Sequence, residues 1–131
     1  MNIKQIHTNK VPAAIGPYSQ GYIAGDFLFT SGQGGLRPED GSVVSGGITA
    51  QAEQTMQNLK HILEEAGTSF ANVVKTTCFL ADILDFAAFN KCYEKYFISK
   101  PARSCFAVKE LPLGILCEVE VIAYLKKEDL S

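Results

Sequence analysis

Arg103 and the carboxylates Glu118 and Glu120 are the residues whose types and placement best suit chemistry. Arginine offers a planar fork that matches a carboxylate bidentately. A glutamate nearby can take a proton from water. Both segments that carry them, 102–108 and 116–125, read as strands, and side chains alternate along a strand. In 116–125, Cys117, Val119, Val121, Ala123 and Leu125 form one wholly apolar set, suited to packing under helices. Leu116, Glu118, Glu120, Ile122 and Tyr124 form the other. In 102–108, Ser104, Phe106 and Val108 alternate with Arg103, Cys105 and Ala107. If the turn Leu111-Pro112-Leu113-Gly114 makes the two strands antiparallel neighbours, Arg103 can share the open face with Glu118 and Glu120. An interface ion pair and a carboxylate receptor with a glutamate base both fit that pattern.

Other constellations offer less. The two histidines, His7 and His61, have no nucleophile motif around them. Ser31-Gly32-Gln33-Gly34-Gly35 is glycine-rich but lacks both the dinucleotide spacing and a phosphate-loop lysine. No ligand pair has the spacing of a metal site, and none of Cys78, Cys92, Cys105 and Cys117 forms a C-x-x-C pair. The cysteines lie in apolar segments, where a free thiol behaves as a small hydrophobe. Arg103 could lower the pKa of Cys105 and make it oxidisable.

The elements that must position these residues are legible from periodicity. Residues 3–7 can form a first strand, and two apolar runs around Gly25-Asp26 predict a hairpin over 21–31. Residues 32–47 read as a long loop with turns. Ile48, Ala52, Met56, Leu59, Ile62, Leu63 and Ala66 recur at helical spacing, with Gln51, Glu53, Gln57, Lys60 and Glu64 on the polar side. Thr49 would cap this helix and Gly67 would end it. A β-branched run over 73–80 predicts a strand. A second helix follows over about 84–97, capped by Asp82 or Asp85, with Phe86, Phe89, Tyr93 and Phe97 as its apolar stripe.

The resulting order, β-β-β-α-β-α-β-β, predicts a two-layer α+β sandwich with both helices on one face of a single sheet. Cys105, Ala107, Ile122 and Tyr124 would make the other face too apolar to meet water, which points to a buried oligomer interface.

With 131 residues, 47% hydrophobic and 20% charged, the chain is neither disordered nor collagen-like. One domain over 1–131 is expected. Twelve basic and fourteen acidic side chains leave a net charge of −2, which gives no strong electrostatic footprint for nucleic acid, although a local patch could still exist. No apolar run could cross a bilayer, and the N-terminus lacks a signal-peptide core. A soluble, cytoplasmic protein is the expectation.

Five segments in order resemble the Rid/YjgF family of reactive-intermediate deaminases. They are Ala14-Ile15-Gly16-Pro17-Tyr18-Ser19-Gln20, Phe29-Thr30-Ser31-Gly32-Gln33, Phe86-Ala87-Ala88-Phe89-Asn90 with Tyr93 and Phe97, Pro101-Ala102-Arg103-Ser104-Cys105, and Leu111-Pro112 leading into Cys117-Glu118-Val119-Glu120. The resemblance implies a chorismate-mutase-like α+β fold, a homotrimer, and active sites between subunits. It implies hydrolysis of 2-imino acids such as 2-iminobutanoate and 2-iminopropanoate, and their enamine tautomers, to 2-keto acids and ammonia. It implies no cofactor and no metal. By the same resemblance Arg103 would clamp the substrate carboxylate with help from the Cys105 backbone N–H. Glu118 would activate water, and Tyr18, Ser31, Gly32 and Asn90 would line the cleft. Gly34-Gly35-Leu36, Leu113 and Cys117 depart from the family's common pattern. A regulatory trimer that binds keto or amino acids without turnover is an alternative, as is a chaperone-like or ribonuclease role, against which the net charge counts.

Overall fold

The computed structural model describes residues 3–125; the ends of the expected 1–131 unit lie outside them. Its elements are β1 (Ile3–Ile6), β2 (Gly21–Ala24), β3 (Phe27–Thr30), β4 (Gln33–Gly34), α1 (Gly47–Glu65), β5 (Val73–Leu80), α2 (Phe86–Tyr96), β6 (Ala102–Ala107) and β7 (Cys117–Tyr124). Single 3₁₀ turns at Phe70–Asn72, Ile83–Asp85 and Pro112–Gly114 link them. One sheet runs β1-β2-β3-β7-β5-β6, with β4 also paired to β7. All pairings are antiparallel except β5 with β6. The α+β two-layer fold is therefore as the element order predicts.

The helices share the face defined by Cys117, Val119, Val121 and Ala123, all buried. From α1, Ala52, Met56, Leu59, Ile62 and Leu63 enter the same core. Burying an aliphatic side chain of the larger sizes contributes about 1.5–3 kcal/mol. That packing holds α1, because its N-cap is Gly46, with no side chain to offer, and not Thr49. Its C-terminus is closed as expected around Gly67, at φ 84°. Gly67 N–H donates to Glu64 O at 3.0 Å and Thr68 N–H to Leu63 O at 2.9 Å, a Schellman pair. Asp82 caps the 3₁₀ turn ahead of α2 by accepting Leu84 N–H at 2.9 Å.

Beyond the Thr49 cap, three further expectations are corrected. Gln51 is not on the solvent side of α1 but is buried, where its Oε1 accepts Leu116 N–H at 2.8 Å just before β7. The 32–47 segment also contains a strand, β4, too short to show periodicity.

The third correction concerns the chemistry. β6 is not the neighbour of β7, because β5 lies between them. β5, α2 and β6 form a β-α-β crossover, which returns the chain parallel to β5 and takes that edge; β7 occupies the other. In register, Arg103 opposes Thr76, Cys105 opposes Cys78, and Phe106 opposes Phe79. Thr76 and Cys78 are buried under the helices, so Arg103, Cys105 and Ala107 belong to the helix side. Phe79 opposes Glu118 on the open face. That face remains strongly apolar, with a different membership: Tyr22, Phe29, Phe106 and Tyr124 are exposed beside Phe79 and Ile122.

Candidate functional site

The candidate residues fall into two clusters within one chain. The first lies where the edge strand β6 meets α2. Arg103 Nη1 donates to Asn90 Oδ1 at 2.7 Å. Its guanidinium carbon lies 4.6 Å from the centroid of the Tyr93 ring and 5.5 Å from that of Phe86. These are favourable cation–π distances. Tyr93 is itself anchored, its hydroxyl 2.7 Å from the buried Thr76 Oγ1. The helical spacing of Phe86, Asn90 and Tyr93 brings all three to the arginine. Among the described residues no carboxylate pairs with Arg103. A neutral amide and two rings hold the fork in place and leave its charge uncompensated.

Cys105 is half-buried on the same side. Burial pushes its thiol above the ordinary value and outweighs the opposing pull of Arg103. Cys105 thus behaves as a packed strand residue, and the alternative of a thiol activated by Arg103 is not favoured, since partial burial disfavours the thiolate. Burial likewise pushes Cys78 and Cys92 up to about 12 and Cys117 up to about 11. All four cysteines are free.

The second cluster lies along β7. β3 and β4 follow each other on the same edge of β7, paired at 122–124 and at 118–119. Ser31 and Gly32 interrupt them, and Thr30 Oγ1 accepts Val121 N–H at 3.0 Å across the break. The gap receives the Glu118 side chain, since a Cβ on Gly32 would lie 2.3 Å from Glu118 Oε2. Burial, and then the Glu120 charge, push the Glu118 carboxyl above the ordinary 4.5. Ser31 Oγ donates to Gln20 O and accepts from Gln33 Nε2, both at 3.2 Å. Tyr18, Gly32, Gln33 and Leu113 line a cavity of about 320 Å³ beside this break.

Buried amides that sequence reasoning passed over set the walls. Gln20 donates to Thr8 O at 3.1 Å and to Pro12 O at 3.2 Å, which ties the 8–20 segment down. Asn58 of α1 donates to Gly34 O and Leu36 O, each at 3.1 Å. Gly35 permits this close approach, as a Cβ there would lie 2.7 Å from the Gln51 backbone. The sequence signal for Asn58 and Gln51 is polar residues at i, i+4 and i+7 (Gln51, Thr55, Asn58) beside an apolar stripe, whereas Gln20 ends the first of the five family-like segments. The histidines stay outside both clusters, His7 meeting Asn9 and His61 meeting Glu64.

Gly32→Ala tests the seat of Glu118. The side chain can swing away, so stability should change by less than about 1 kcal/mol. Displacing the carboxylate should lower kcat at least about tenfold, because misplacement of order 1 Å is costly. Thermal melts beside turnover measurements check this; unchanged turnover would show that the seat is irrelevant.

This architecture is that of a two-layer α+β protein, one mixed sheet with two helices on one face, that holds an arginine at the sheet edge with no carboxylate partner among the described residues. Residues 8–125 match the family described as Endoribonuclease L-PSP. The human 2-iminobutanoate/2-iminopropanoate deaminase is 47% identical over 119 residues, covering 90% of this chain and 87% of that one. A RutC family protein of Pyrococcus abyssi is 48% identical over 120 residues, 91% of this chain and 94% of its own. The structure of E. coli TdcF with bound serine superposes with a TM-score of 0.88 at 38% identity, covering 94% of this chain and 99% of that one. The chain belongs to the Rid/YjgF family. Among the described residues no helix is long and apolar enough to cross a membrane.

Proposed function

We propose that the protein hydrolyses 2-imino acids, 2-iminobutanoate and 2-iminopropanoate among them, to 2-keto acids and ammonia. The observation that carries this reading is the preorganised Arg103 fork with no carboxylate partner among the described residues. The deaminase relatives named for these imines support the same substrate class.

Arg103 and the Cys105 backbone N–H hold the substrate carboxylate. Glu118 removes a proton from water as its oxygen bonds to the imine carbon. With the imine protonated on nitrogen, the same carboxyl then passes that proton to the amine of the adduct and takes the adduct's hydroxyl proton as the C–N bond breaks, so that the C–O bond becomes C=O, ammonia leaves, and Glu118 releases its proton to solvent. The imine carbon is already electrophilic, so positioning and proton transfer suffice. Tyr18, Ser31, Gly32 and Asn90 shape the cleft.

Arg103 and Glu118 stand on opposite faces of the sheet with β5 between their strands. Neighbouring strands are about 4.8 Å apart, so one small imine does not reach both in a single chain. The cleft is therefore completed by a second copy, with Arg103 from one protomer and Glu118 from the next. The apolar open face supplies the contact, and three copies close the ring.

The deciding experiment generates the imines in situ with a serine/threonine dehydratase and times keto-acid release with and without the protein. No acceleration defeats the reading; binding of keto acids without turnover supports the regulatory alternative instead. The pH profile adds a second check. A base with a raised pKa is lost as pH falls through that value, so the acidic limb should lie above 4.5. Glu120→Gln removes one cause of the rise and should move the limb down, whereas Glu118→Gln should abolish it. A limb indifferent to both substitutions assigns the base elsewhere.

A further inference from the structure

The turn leading into β7 holds a leucine in a conformation leucine rarely adopts. Leu113 has φ 60° and ψ 12°, in the left-handed region that few non-glycine residues enter. Gly114 N–H donates to Leu111 O at 3.3 Å and Ile115 N–H to Pro112 O at 3.2 Å, which fixes the turn. The leucine gains little from its own chain, because it is 59% exposed. Glycine or asparagine would suit this backbone better.

What the side chain does is wall the cavity of about 320 Å³, together with Pro12, Ile15, Tyr18 and Leu36. Ile15 is also largely exposed, at 79%. The same cavity reaches Gly32, against which the Glu118 carboxyl packs. Apolar surface thus begins where the proposed base ends. A substrate held by its carboxylate, with its imine carbon at Glu118, has one substituent left to place. Strained backbone held in place at such a position is a mark of function.

We propose that this cavity receives the substrate side chain and that Leu113 selects 2-imino acids with extended aliphatic side chains. The inference rests on the reading of Glu118 as the base. A water occupies about 30 Å³ in the liquid, so a branched four-carbon chain fits. Glu39 and Asp40 also line the cavity. Asp40 accepts from the Ser42 N–H and hydroxyl at 2.9 and 2.7 Å, which holds it ionised. These carboxylates exclude a second acidic group on the substrate.

The test compares kcat/KM for the imines of leucine, alanine and glutamate, formed in situ by amino-acid oxidases with catalase present. The wild type should favour the leucine-derived over the alanine-derived imine and reject the glutamate-derived one. Leu113→Gly relieves the backbone, so it should fold, and Leu113→Lys removes the apolar wall by another route. Both should lower the leucine-to-alanine ratio by about tenfold, the discrimination an apolar pocket provides. An unchanged ratio in both variants overturns the proposal. So does a parallel loss on both substrates with loss of assembly by light scattering, which would make Leu113 a contact between copies. If Glu118→Gln leaves hydrolysis of all three imines intact, the reading of the base fails first, and the inference with it.

Discussion

Arg103→Ala should reduce imine hydrolysis by at least about 100-fold, the scale expected on removing a principal electrostatic contact. The guanidinium is held by Asn90 on one edge and by the Tyr93 ring on one face, so its free edge is fixed before substrate arrives. Arg103→Lys should not restore activity. An ammonium is a point charge without the fork, and it cannot bridge the Asn90 amide and a carboxylate in one plane. The fold should survive both substitutions, because Arg103 is exposed on an edge strand and its side-chain hydrogen bond among the described residues is to Asn90 alone. Single-turnover kinetics with 2-iminobutanoate, beside circular dichroism and light scattering, provide the measurement. A folded, assembled Arg103→Ala variant turning over near the wild-type rate would remove the receptor from the mechanism.

Ile122→Asp should abolish activity from a distance. Ile122 lies in mid-strand on the open face, opposite Phe29 on one side and Lys75 on the other. Phe29 is 44% exposed and Phe106 45% exposed on the same face, and such surface calls for a partner. If copies of the chain close over it, each aspartate would be buried near its equivalents without compensation. Wild type should scatter light as a species of three 14.2 kDa chains, and the variant should dissociate or aggregate. Its turnover should fall with assembly although residue 122 is outside both clusters. Wild-type protein that is monomeric yet fully active would defeat the shared cleft.

Local periodicity marks every element except β4, and the buried sides of α1, α2 and β7. Apolar alternation in 117–123 marked the buried side of β7, and helical spacing marked the core stripes of α1 and α2, because those periods are local properties of the chain. The residue types of Arg103 and Glu118 were equally legible, as was the class of chemistry they suit. Strand order was not. Alternation says which residues share a face of one strand, not which strand lies beside it, and the turn at 111–114 suggested a hairpin where a crossover had already claimed the adjacent edge. Only the tertiary structure placed β5 between β6 and β7 and so moved Arg103 to the helix side, away from Glu118. It also decided the thiol of Cys105, where burial overrides the charge of Arg103 two residues before it. The same holds for the seat of Glu118 at Gly32, which exists because two strands share one edge of β7 with a break between them. Such features depend on contacts between residues far apart in the chain, and no local pattern encodes them.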